Sequence, residues 1–155
     1  MQLNPLSTAL RARIVRSAAL LFAAALVIGL IFTFEAIGHV EVWPLLPAIQ
    51  FEFPGTEAAW RRAHLGAIMN ALAMFAFAGI GSVVCLSDPG QRWLTRCVMV
   101  TGWGNSVAFV IGAVYSVRGL AYGDVLANSV VYLLFLLAAV TAFVQAFLVW
   151  KGARS

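Results

Sequence analysis

Four long apolar stretches, at about residues 14–34, 58–84, 93–116 and 125–150, account for most of the chain. Each can supply the about 20 apolar residues a helix needs to cross about 30 Å of hydrocarbon. Between them the pattern breaks into turn chemistry: Pro44, Pro47, Pro54 and Gly55 after the first stretch, Ser87-Asp88-Pro89-Gly90 after the second, and Arg118-Gly119 to Gly123-Asp124 after the third. The pattern predicts an all-α integral membrane bundle of four transmembrane helices, one domain over residues 1–155 with no soluble part and no internal repeat. Thr56 stands where the N-cap of the second helix belongs. The connection from Glu35 to Glu57 is the one long loop, and Trp43-Pro44-Leu45-Leu46-Pro47 makes it apolar enough to lie in the membrane interface, a candidate lid or re-entrant element.

Composition agrees with the pattern. Hydrophobic residues make up 63% of the 155 and charged ones 10%, against about 45–50% and about 25% in soluble domains. A water-soluble globule is excluded, as are a disordered chain, a collagen-like repeat and a disulfide scaffold built on two Cys. Those two, Cys85 and Cys97, flank the loop around Asp88 and form no C-x-x-C pattern. The first apolar run is too long for a typical signal-peptide core and is followed by no clear small-residue cleavage site, so it is read as a retained span.

The basic residues sit between the apolar runs and form no stripe for phosphates, which argues for membrane topology and against nucleic-acid binding. With four spans both termini lie on one side. That side holds seven basic residues, Arg11, Arg13, Arg16, Arg92, Arg96, Lys151 and Arg154, against Arg61, Arg62 and Arg118 on the other. The bias places both termini in the cytoplasm and the protein in the inner, cytoplasmic membrane.

Polar residues inside hydrocarbon are costly unless paired, so they mark candidate function. Within the spans these are His64 and Asn70 on the second, Asn105 and Ser106 on the third, and Asn128, Ser129, Tyr132 and Gln145 on the fourth, with Arg61 and Arg62 near the mouth of the second. One histidine is too few for a zinc site, and no carboxylate lies within a turn or two of it. Haem asks for only one protein ligand, because the porphyrin supplies four. From the residues alone His64 is open to two roles, a hydrogen bond to a neighbouring helix or ligation of such a cofactor. Asn70 follows His64 by six positions, about 120° around a helix, so the two cannot point straight at one small ligand from a single helix; they can serve one planar group between packed subunits. Gly102, Asn105, Ser106, Phe109 and Ala113 share a narrow, small and polar face, either a packing face or a pocket wall. No G-x-S-x-G, Walker, H-E-x-x-H or paired intramembrane carboxylate pattern is present, which leaves serine-hydrolase, nucleotide-driven and zincin chemistry without support, and no span has an internal Asp or Glu to support proton-coupled transport.

The order Pro54-Gly55, Trp60, Arg62-Ala63-His64, Gly66, Asn70, then Gly102-Trp103-x-Asn105 and Arg118-Gly119-Leu120 resembles the styrene oxide isomerase family of small bacterial membrane enzymes. The resemblance runs from about Gln50 to Leu120. It implies a four-helix membrane protein that assembles as a homotrimer, binds haem b between subunits and rearranges a lipophilic aryl epoxide to an aldehyde by a Meinwald reaction, with ferric iron as Lewis acid. Carried over residue by residue, His64 matches the axial haem and metal ligand, Asn70 the amide that holds the substrate oxygen, and Trp103 and Asn105 pocket-forming or structural positions beside the cofactor. One position departs: where the family has a tyrosine that assists at the substrate oxygen, this chain has Phe109. That departure keeps a second expectation in view, a haem-binding membrane protein that senses a small ligand or carries an electron without isomerisation. A third is an accessory membrane protein in which His64 only packs.

Overall fold

The computed structural model describes residues 3–153; Arg154, counted above among the C-terminal charges, lies outside them. Four long helices dominate: α1 Thr8–Ile37, α2 Glu57–Ile80, α3 Asp88–Val114 and α4 Leu126–Gly152. All four are long and apolar enough to cross a membrane. They form a run of neighbours, α1 on α2, α2 on α3 and α3 on α4, with α3 also reaching α1. The outward faces are apolar: Leu133, Leu137, Val140 and Phe143 on α4, and Leu20, Leu26 and Val27 on α1, are exposed, as suits side chains that meet lipid.

The helices start and stop where local chemistry dictates, not where the apolar runs do. Helix α1 begins at Thr8, six residues before its apolar run, because the Ser7 side chain caps it by accepting from Leu10 N. Arg11, Arg13 and Arg16 therefore belong to its first turns. It ends at Gly38, whose left-handed φ of 75° lets its N–H close on the Phe34 carbonyl. Thr56 caps α2, accepting from Ala59 N at 3.3 Å. The expected second span to residue 84 is shortened to Ile80, since Leu6 N takes the Gly81 carbonyl and Cys85–Leu86 turns extended. The Ser87-to-Gly90 stretch, read from sequence as a turn, is instead the start of α3: Pro89 occupies the first turn, where its missing N–H costs nothing.

Short strands supplement the all-α plan. Strand β1 (Asn4–Pro5) pairs antiparallel with β4 (Cys85–Leu86), and β2 (Val40–Val42) with β3 (Leu46–Ile49). The first pair is held by Gln91, whose side chain donates to the carbonyls of Asn4, Pro5 and Leu86 and accepts from Ser7 N. It ties the N-terminal segment to the α2–α3 turn, where Gly152 of α4 also packs. The second pair is a hairpin made from the long connection; Trp43 and Leu45 near its turn are each 80% exposed.

Helix α2 is the spine. Its buried side is a ridge of Ala59, Ala63, Ala67 and Ala71 at four-residue spacing, continued by Met74 and Ala78; the small residues let backbones approach closely without a hydrophobic driving force between helices. Two core clusters follow. One gathers Ile14, Leu21, Met74, Leu94 and Val98 towards the end that carries the N-terminus; the other gathers Ala25, Ile28, Trp60, Ala63, Ala67 and Ala113 towards the hairpin end. The second cluster carries the candidate site.

Candidate functional site

His64 lies half-buried on the α1 side of α2. Its Nδ1 is 2.9 Å from the Ala25 carbonyl oxygen. A carbonyl can only accept, so Nδ1 carries the hydrogen and Nε2 keeps its lone pair. This is the arrangement by which proteins fix the tautomer and orientation of a ligating imidazole. Gly29 makes room for the ring: a Cβ there would stand 2.6 Å from Cε1 and 2.7 Å from Nδ1. Phe32 stacks near it, ring centroids 6.3 Å apart and planes 19° apart. Among the described residues no three His, Cys, Asp or Glu side chains gather in one place, so a metal bound by His64 must bring most of its other ligands with it.

Gly29→Ala tests this cradle. Alanine favours a helix by about 1 kcal/mol over glycine, so the fold is expected to hold while the ring is pushed off Ala25. If His64 ligates haem, as the family resemblance implies, haem affinity is expected to fall about 10- to 100-fold, the usual cost of losing a partner that orients a metal ligand. A Soret titration measures it, and Gly79→Ala, where a Cβ meets nothing within 4 Å, is expected to leave affinity unchanged.

Asn70 faces the other neighbour of α2. Its Nδ2 donates to Ser106 Oγ on α3 at 3.1 Å, and Ser106 Oγ donates to the Gly102 carbonyl at 2.7 Å. Asn105 Nδ2 donates to Asn70 Oδ1 at 3.5 Å. Among the described residues one of the two Nδ2 hydrogens of Asn70 is thus engaged, which leaves the other able to donate. The narrow face of α3 is both a packing face and a wall. Gly102 accepts Met74 of α2, while Asn105, Phe109 and Ala113 line a cavity of about 260 Å³ between α2, α3 and α4.

Phe109 fits under Gly66, where a Cβ would come within 2.7 Å of its ring, and meets Phe135 of α4 edge to face at 5.0 Å. Val131 and Leu120 complete the apolar lining, and Arg62 and Arg118 border the same cavity. Among the described residues the one ion pair is His39–Glu41, so no carboxylate of those residues neutralises either guanidinium.

Trp103 goes elsewhere. Its Nε1–H donates to Ser17 Oγ on α1 at 2.8 Å, eight residues before Ala25 and so about 12 Å from it along the helix. It ties α3 to α1 beneath the site. His64, Asn70, Asn105 and Phe109 are all placed on helix faces, but His64 is turned to α1 and the Asn70 cluster to α3, as their spacing on α2 requires. Sequence reasoning did not find Ala25 and Gly29 as the seat of His64, nor the shared cavity of Arg62 and Arg118. A glycine inside an otherwise bulky apolar run was the available signal for the first.

Comparison with known proteins bears on the same residues. A family model described as styrene oxide isomerase matches residues 10–154. The chain is also 26% identical over 98 residues to a styrene-oxide isomerase of Pseudomonas fluorescens, an alignment that covers 63% of this chain and 57% of that relative. With four membrane-length helices and a family match over nearly its whole length, the chain is a multi-pass membrane protein and belongs to the styrene oxide isomerase family.

Proposed function

We propose that this protein is a haem b dependent epoxide isomerase that converts a lipophilic aryl epoxide to an aldehyde within the membrane. The observation that carries the reading is the imidazole of His64, fixed through Nδ1 on Ala25 and seated in the Gly29 cradle with Nε2 available. That donor set fits haem b: a single oriented nitrogen serves a group that carries its own four ligands. His64 would hold the iron, and Arg62 and Arg118, two guanidiniums without a carboxylate partner among the described residues, suit the propionates. When bound, the ferric group supplies a Lewis acid to the epoxide oxygen.

The chain's own residues do the rest. The free N–H of Asn70 donates to the substrate oxygen, and Ser106 holds the amide in place from the other side. The apolar walls from Phe109, Val131 and Phe135 exclude water. As the benzylic C–O bond opens, a dry site lets hydride migrate to the electron-poor carbon and disfavours addition of water, so an aldehyde forms in place of a diol. Because His64 and the Asn70 cluster face opposite sides of α2, one site takes His64 from one protomer and Asn70 from the next, in a homotrimer with both termini in the cytoplasm. Purified protein given styrene oxide is expected to yield phenylacetaldehyde by gas chromatography; a coloured preparation that leaves the epoxide untouched would refute the activity.

Phe109 supports a second reading. With no hydroxyl to aim at a substrate oxygen and its ring wedged between Gly66 and Phe135, the same cofactor site suits a haem protein that senses a small ligand or carries an electron. Such a protein would show haem without turnover.

A further inference from the structure

Gln145 of α4 is 7% exposed, and its Oε1 is the buried side-chain atom for which the described residues provide no hydrogen-bond partner. The surrounding bundle offers no bulk water to satisfy it, and an unsatisfied buried amide loses its full hydration. Gln145 lines a small cavity of about 20 Å³ together with Asn70, Thr101 and Gly102, with Met74 and Phe77 also in its wall. That volume holds one water, which needs about 10–15 Å³ by this measure and two to four polar partners. Thr101 Oγ1 is already engaged with Thr141 Oγ1 and the Ala138 carbonyl. Asn70 Oδ1 is the acceptor with capacity to spare, since Asn105 reaches it only at 3.5 Å.

We infer that this cavity binds a single ordered water that donates to Gln145 Oε1 and to Asn70 Oδ1, making Gln145 a positioning residue for Asn70. Turning the Gln145 amide over exchanges acceptor for donor and leaves the water's place unchanged. Asn70 is then held at both ends of its amide, by Ser106 on Nδ2 and by the water on Oδ1. Its remaining N–H has a fixed direction. The inference rests on the proposed function in one respect, that this N–H meets the substrate oxygen; the water site itself does not depend on it.

Two measurements on the full-length protein test it. A cryo-EM map that resolves waters is expected to show one density peak within hydrogen-bond distance of both side chains; a lipid, a partner side chain or no peak against Gln145 overturns the site. In steady-state kinetics of the haem-loaded protein, Gln145→Met keeps the volume and removes the amide. It is expected to lower kcat about 10-fold with KM changed less than 2-fold, and to have no further effect in an Asn70→Ala background, since residues in one network couple. Its thermal midpoint is expected to hold, because one water-mediated hydrogen bond contributes little net stability and methionine fills the same volume. A loss that persists undiminished beside Asn70→Ala, or one that follows a lowered midpoint, overturns the positioning role. If the wild-type chain binds haem but turns over no epoxide, the functional reading fails, and the map alone decides the water.

Discussion

His64→Ala is expected to yield a folded, colourless protein with epoxide turnover at the level of the uncatalysed reaction. The imidazole is half-buried and donates only to a carbonyl that lies within α1, so its removal orphans no buried donor. The alanine ridge of α2 remains complete, and helix content by circular dichroism is expected to match the parent. A midpoint shift of a few degrees corresponds to about 1 kcal/mol in a chain of this size. On the proposed reading the haem, by contrast, loses its protein ligand. Measured together, absorbance and circular dichroism separate loss of a ligand from loss of the fold. Retained Soret absorbance at parental affinity would remove His64 from the metal site.

Phe109→Tyr has the second large effect, in the opposite direction. The Phe109 ring packs against Gly66 and Phe135 and lines the 260 Å³ cavity together with Asn105, and the substitution adds a single oxygen to that ring. A donor aimed at a developing oxyanion is worth about 2.7–4 kcal/mol, or about 10²- to 10³-fold in kcat. The substitution is expected to raise turnover of styrene oxide by up to that factor while haem affinity stays constant. An unchanged kcat would show that the missing hydroxyl does not limit this protein.

The membrane architecture was legible in the sequence because hydrocarbon imposes a single rule, about 20 apolar residues per crossing, that holds whatever packs against them. Helix ends were not, because they depend on caps and pairings. Ser7 starts α1 well before its apolar run, and the β1–β4 pair stops α2 at Ile80 while α3 begins within an apparent turn. For the site, the 100° periodicity placed His64 and Asn70 on different faces of α2, which the structure bears out. What each face meets was beyond periodicity. The Ala25 carbonyl is a backbone acceptor with no side-chain signature, and Trp103 bonds Ser17 across a contact between α1 and α3 that no spacing within either helix announces. Arg62 and Arg118 are 56 positions apart, and only the turn after α3, with Gly119 at a φ of 59° against Val131 and Tyr132 of α4, brings them to one cavity.

The measurement that bears most directly on the central claim is the visible absorption spectrum of the detergent-purified ferric protein during titration with styrene oxide. The account predicts a Soret band that depends on His64 and shifts saturably with added epoxide. A Soret band that does not move at saturating epoxide would contradict an isomerase that acts through the metal, and no band after expression with ample haem would contradict the cofactor itself.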